Sequence, residues 1–137
     1  MSAKYMLDTN MCIYLIKHQP PEVRERFAKC FVGDVIISAI TLAELEFGIA
    51  CTSKASQKTN RMVLDSLLED ILVASFDSQA AKAYGPIRAA YKERNRNALD
   101  KLIASHAIAL GVTLVTNNKA DFVNYAGLVV ENWVNVR

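Results

Sequence analysis

The alternation of short apolar runs with longer segments of helical periodicity constrains this chain more than any other feature. The runs "KYML", "DVIIS", "ILVASF", "VTLVT" and "GLVV" are short, rich in β-branched or aliphatic residues and bounded by turn or polar residues, the signature of buried strands. Between them lie stretches whose apolar residues recur at helical spacing. Helices are predicted over 10–18, 19–31, 41–50, 57–70, 77–94 and 97–110. Pro20 and Pro21 stand at the front of the second of these, where a helix tolerates proline, and Gly111 is placed to end the last. Gly85 and Pro86 predict a kink in the fifth. Strands alternating with helices imply an α/β domain with a mostly parallel central sheet of four to five strands, covered on both faces.

The chain has 137 residues, 52% of them hydrophobic, enough for one domain spanning 1–137 to bury a core unaided. Its longest apolar stretches are interrupted by Ser, Thr, His or Gly and fall short of the roughly 20 residues of a membrane span. No export signal is legible at the amino terminus, so a cytoplasmic protein with no membrane partner is expected. The three cysteines, Cys12, Cys30 and Cys51, are widely spaced and fit neither a disulfide framework nor a zinc motif. A net charge of +2 does not by itself announce a nucleic-acid binder. Its distribution says more: Arg88, Lys92, Arg94 and Arg96 cluster in "IRAAYKERNRN", and Lys58 and Arg61 form a smaller group. Either a solvated helix face or an RNA-positioning surface would use such a run.

In a parallel sheet, ligands bind beyond the carboxyl ends of the strands. Asp8 ends the first strand, Glu44 lies in the helix after the second, and Asp100 begins the helix feeding the fourth, so all three are expected at one edge. Asn117 and Asn118 end the fourth strand there too, with Asp121 a turn later. Each acid also has a structural reading: Asp8 as a helix cap, "TLAE" ending on Glu44 as a capping box, and Asp100 as a first-turn acid favoured by the macrodipole. Three carboxylates at one edge repel one another, and a divalent cation offsets that cost most simply. Oxygen-only ligands point to Mg²⁺ or Mn²⁺. His106, on the helix face of Leu99, Leu102 and Ile103, reads as a packed or hydrogen-bonded core histidine. Glu46 reads as solvated, and Trp133 as a packing anchor.

Taken together and in order, "YMLDTN" with "CIYLIK", "ISAITLAELEFG", and "LDKLIASHAIALGVTLVTNN" followed by "DF" resemble the PIN-domain ribonucleases, specifically the VapC toxins of bacterial toxin–antitoxin pairs and their enteric branch. The resemblance covers nearly the whole chain. It implies a three-layer sandwich and a Mg²⁺-dependent endoribonuclease whose metal-binding acids are Asp8, Glu44 and Asp100, supported by Asn10 and Thr116. It implies a structured RNA substrate, tRNA and in this branch the initiator tRNA's anticodon loop, whose cleavage inhibits translation. It also implies a homodimer neutralised by a VapB-type antitoxin covering the acidic site, with operator DNA bound only through the antitoxin complex. Where many PIN domains carry a fourth acid, this chain has Asn117 and Asn118, with Asp121 the nearest substitute. Two rival readings stand beside this one: a phosphatase or phosphotransferase using Asp8 as nucleophile, and a non-catalytic module receiving a basic partner segment.

Overall fold

A computed structural model describes residues 2–91, 98–122 and 125–134. Five strands form one sheet in the order β3-β2-β1-β4-β5: β1 (Tyr5–Leu7), β2 (Val35–Ser38), β3 (Leu72–Ala74), β4 (Thr113–Val115) and β5 (Val130–Glu131). Every pairing is parallel. The helices are α1 (Thr9–Lys17), α2 (Pro21–Ala28), α3 (Ala39–Ala50), α4 (Lys54–Asp70), α5 (Ser78–Ala90), α6 (Ala98–Leu110) and the short α7 (Lys119–Phe122). The layered α/β architecture expected from the alternation is therefore present, with a sheet wholly parallel.

Period-two alternation along the strands divides the core in two. Leu7, Val35, Ile37 and Val115 face one layer, packed with Met11, Cys12 and Leu15 of α1 and Leu64 of α4. Their neighbours Met6, Ile36 and Leu114 face the other, packed with Ile87 of α5, Ile103, Ala104 and Ala107 of α6, and Phe122. Trp133 is buried and meets Tyr5 edge-on at 5.4 Å between ring centroids, the anchoring role expected of it.

Helix starts follow local chemistry. Asp8, Ser38, Ser53 and Asp77 are the N-caps of α1, α3, α4 and α5, each accepting a backbone N–H in the first turn. Gly111, at φ +68°, closes α6 in the left-handed conformation, as its position predicted. Several expectations change. The fourth helix starts at Lys54, three residues before the predicted start, because Ser53 caps it. The α5 helix runs through Gly85 and Pro86 to Ala90. On α6 Ile103 to Ala107 are all buried, so this part of the helix is covered on every side, while Leu99, on the same face as His106 but in the first turn, is exposed. The third strand lies at the sheet edge with Leu72 exposed, which its apolar sequence did not disclose.

Strand order fixes where ligands can bind. From β1 the chain builds outward through β2 and β3, then returns to the other side of β1 to add β4 and β5. The loops after β1 and β4 therefore part in opposite directions and leave a crevice at the carboxyl edge, a topological switch point.

Candidate active site

Asp8 stands at that crevice. It follows β1 directly, and its backbone N–H donates to the Val115 carbonyl at 3.0 Å, which locks it against the end of β4. Its Oδ1 accepts from the Met11 N–H at 2.9 Å, so Asp8 does cap α1 as its sequence context suggested. Capping engages Oδ1 and fixes the direction of the carboxylate. Burial pushes the Asp8 carboxyl up from its ordinary range, against the opposing pull of the Thr116 hydroxyl and the Met11 amide, and the charge on Glu44 pushes it up further.

Glu44 is held differently from the capping-box expectation. The α3 helix begins at Ala39, with Ser38 as its cap accepting from the Ile40 N–H at 3.0 Å. Thr41 therefore lies inside the helix and Glu44 in its second turn, too far along to cap anything. Its Oε1 instead accepts from the Thr9 hydroxyl at 2.7 Å, across 35 residues of sequence. Glu44 is thus tied to the residue beside Asp8.

Asp100 lies in the first turn of α6 and is half-buried. Its carboxyl is pushed up to about 6 by burial first, then by the charges on Glu44, Asp8 and Asp121. The three predicted acids, with Asp121 as the weakest contributor, therefore share one electrostatic neighbourhood. Among the described residues, none of Asp8, Glu44 and Asp100 has a cationic side chain in ion-pair contact. Also among the described residues, no three acidic, histidine or cysteine side chains close into a ready-made ligand shell. The acids are gathered at one opening but remain apart. As a donor set they are oxygen-only and carry an excess of negative charge, which fits a hard divalent cation and not zinc.

The supporting residues divide. Thr116 is fully buried, faces Asp8 and accepts from the Asn118 N–H at 3.0 Å. The exposed Asn10 assists Asp8 through its backbone amide. Asn117 donates to the Tyr14 hydroxyl at 3.2 Å and accepts from Asn132 at 3.1 Å, so it ties the rim together and does not reach inward. Asn118 donates to Asp121.

Of the basic candidates, Arg88 donates to the Tyr84 hydroxyl at 2.9 Å and lies over the same ring, one turn back on α5. Lys92, Arg94 and Arg96 lie outside the described residues. In the second group, Arg61 forms a two-point ion pair with Glu46 and also approaches Asp65 at 3.9 Å. Glu46 is therefore paired, where its sequence position suggested only solvation.

Sequence reasoning missed Thr9, whose contact with Glu44 spans two elements, and a groove on the layer of α1, α2 and α4. That groove, of about 670 Å³, is lined by Leu15, Ile16, Phe27, Met62 and Leu67 with His18, Arg24 and Asp70 among its polar members. Its exposed Met62 and Val63 become visible as a groove wall only once α4 is placed.

Comparison with known proteins identifies the family. The PIN domain family model matches residues 5–128. The chain is 39% identical over 132 residues to the tRNA(fMet)-specific endonuclease VapC of Shigella flexneri, covering 95% of this chain and 98% of that protein. It is 37% identical over 132 residues to ribonuclease VapC2 of Rickettsia felis, covering 94% of this chain and 97% of that protein. Among solved structures it resembles a chain of DNA-bound VapBC from Salmonella typhimurium, with a TM-score of 0.87, 37% identity, and coverage of 96% of this chain and 99% of that one. The family-model match and the full-length similarity settle the family: the chain belongs to the PIN-domain family, among its VapC ribonucleases.

Proposed function

We propose that this protein is a Mg²⁺-dependent endoribonuclease toxin of a VapBC-type toxin–antitoxin pair that cuts initiator tRNA in the anticodon loop and so inhibits translation. The observation that carries the reading is the convergence of Asp8, Glu44 and Asp100 at the switch point of a parallel sheet. The substrate follows from the tRNA(fMet)-specific relatives.

Asp8 and Asp100 would hold the ion, with Glu44 joining directly or through water; Mn²⁺ has the same ligand preference. A bound divalent ion supplies an activated water and neutralises charge developing on the phosphate. The protein's own groups do the rest. Asp8 is fixed in direction by the α1 cap. Thr9 engages Glu44 Oε1, which leaves Oε2 as the oxygen able to accept a proton from the attacking water. With no second aspartate two residues after Asp8, where Asn10 is exposed, the phosphotransferase alternative lacks its general acid.

Purified protein incubated with total tRNA and either Mg²⁺ or a chelator tests the proposal, with 5′ ends mapped by sequencing. The expected result is one dominant metal-dependent cut in the initiator tRNA. Cleavage undiminished by chelation would remove the metal from the mechanism, and intact initiator tRNA beside another cut RNA would replace the substrate.

The partner expected for such a toxin is a VapB-type antitoxin, with operator DNA bound only through the joint complex; solved relatives are VapBC complexes, some with DNA. The toxin itself would act as a homodimer in the cytoplasm. No helix among the described residues is long and apolar enough to cross a membrane. An antitoxin Arg reaching the carboxylates could pair with them in two-point fashion and compete with Mg²⁺. The groove beside α1, α2 and α4 offers an apolar bed for an apolar segment of such a partner. Met62→Asp is expected to weaken antitoxin binding by about 30-fold or more, on the scale of an interface hot spot, with RNA cleavage by free toxin unchanged. Titration calorimetry with the antitoxin measures it, and unchanged affinity would place the partner elsewhere.

RNA positioning is assigned to the basic stretch that leads into Asp100. Replacing Lys92, Arg94 and Arg96 with Gln is expected to raise KM and flatten the salt dependence of RNA binding, with a slope loss of about 0.7 per phosphate contact removed. Binding measured across a salt series decides it. An unaltered slope would return the stretch to a solvated role, and Arg88, already engaged with Tyr84, is expected to add little.

A further inference from the structure

His106 is fully buried at the seam between α6 and α3, and nothing in the proposed chemistry uses it. Its Nδ1 lies 2.8 Å from the Ser38 hydroxyl. That hydroxyl is also the N-cap of α3, accepting from the Ile40 N–H at 3.0 Å. A serine oxygen that accepts from an amide still has its own proton to give, and Nδ1 is the acceptor within reach. This assigns the ring's proton to Nε2, an assignment made from the bonding pattern. Burial holds the ring below its ordinary pKa, hence neutral, with the charge on Asp77 and a hydrogen bond toward the Ser75 carbonyl pulling the other way. Phe76 packs edge-on against the ring at 5.3 Å, fixing its plane.

The two helices joined by this bond each carry a site acid. Asp100 and His106 are both on α6; Ser38 caps α3, which carries Glu44 in its second turn. A buried imidazole, whose polar ring atoms must each find a partner, is a costly way to fill a seam that Leu could fill. We infer that His106 is a positioning residue: by fixing the Ser38 cap it sets the root of α3 against α6, and so holds Glu44 in register with Asp100 for the metal. The inference rests on the metal-site reading above and goes beyond it, because it predicts coupling from a residue that touches neither metal nor RNA.

The test is an epistasis measurement on the full-length protein, with Mn²⁺ affinity read by titration calorimetry. In the otherwise natural chain, His106→Leu is expected to weaken Mn²⁺ by about tenfold, the scale of removing a group that orients a metal ligand. In a Glu44→Gln background the same change should cost less than about twofold, since the ligand being positioned is already lost. His106→Asn, whose Oδ1 can take the place of Nδ1, should keep affinity near that of the unaltered protein. Deuterium exchange at the first turn of α3 should speed up in His106→Leu and not in His106→Asn. If His106→Leu does not fold, Ser38→Ala cuts the same bond from the α3 side and must show the same background dependence. Equal losses with and without Glu44, or full affinity in His106→Leu, would overturn the positioning role. Unaltered protein that binds no Mn²⁺ would overturn the metal reading itself, a result distinct from either.

Discussion

Asp100→Asn is expected to abolish RNA cleavage and, in metal-free buffer near neutral pH, to raise the melting temperature. The folded protein raises the Asp100 pKa from 3.8 to about 6. A raised carboxyl pKa means that the fold favours the protonated form. The associated stability is fully present below about pH 4 and is lost as the pH rises through 6. At neutral pH the carboxylate is charged against its surroundings, and Asn removes that cost. Because the group is partly exposed, solvent screening reduces the gain to about 1 kcal/mol, or roughly 3–5 °C for a chain of this size. Asp8→Asn should behave similarly, since its carboxyl is also raised by burial, and asparagine caps a helix about as well as aspartate. Activity should fall by at least 10²–10³-fold, the scale of removing one group that stabilises developing charge. Mg²⁺ should raise the melting temperature of the unaltered protein and not of either variant. Its affinity should weaken as the pH falls through 6, because the ion must displace a proton from Asp100. Calorimetric melting with and without Mg²⁺, beside a cleavage assay, checks both halves. Retained cleavage in both variants would remove these residues from the site.

Much of this site was legible because parallel α/β topology does the gathering. Once "KYMLD" and "VTLVTNN" are read as strands, the residues that end them fall at one edge of the sheet, and Asp8 and Thr116 meet there. No knowledge of strand order was needed to say that these ends share an edge. It was needed to say that β1 and β4 are neighbours, which is what creates the crevice. What could not be read was the exact start of α3. Ser38 and Thr41 are both acceptable caps, and "TLAE" fits the local capping rule better than "SAIT" does. The longer helix won because Ile40 and Ala39 continue it directly from β2, with the Ser38 cap further engaged by His106 from α6. Local sequence carries no record of a partner 68 residues away.

The same limit explains the pairing of Arg61 with Glu46 and the exposure of Leu72. An ion pair between α3 and α4 depends on how two helices cross, and an edge strand looks like a central one until its neighbours are counted. Periodicity tells which face of an element is apolar. It does not tell whether a layer exists to cover that face.

Glu44→Gln is expected to leave stability almost unchanged and to lower cleavage by about 100-fold. A capping-box glutamate replaced by glutamine should keep both stability and activity, because glutamine serves in that box as well. The structure removes that role: Ser38 caps α3, and Glu44 accepts from Thr9 with one oxygen. Gln retains an Oε1 able to accept the same hydroxyl, so the tie to Thr9 survives and the fold has little to lose. What Gln cannot do is carry a negative charge toward the ion or take a proton at its other terminal atom. Loss should therefore be confined to chemistry and metal affinity, at about the magnitude of a removed general base or charge-stabilising group. Thr9→Ala supplies the contrast. It leaves the carboxylate charged but untied, so activity should fall by a smaller factor, with Mn²⁺ affinity reduced less than in Glu44→Gln. Single-turnover cleavage at saturating RNA, Mn²⁺ titration and urea unfolding on the two variants separate these outcomes. Full single-turnover activity in Glu44→Gln would leave Asp8 and Asp100 as the working acids and reduce Glu44 to a rim residue.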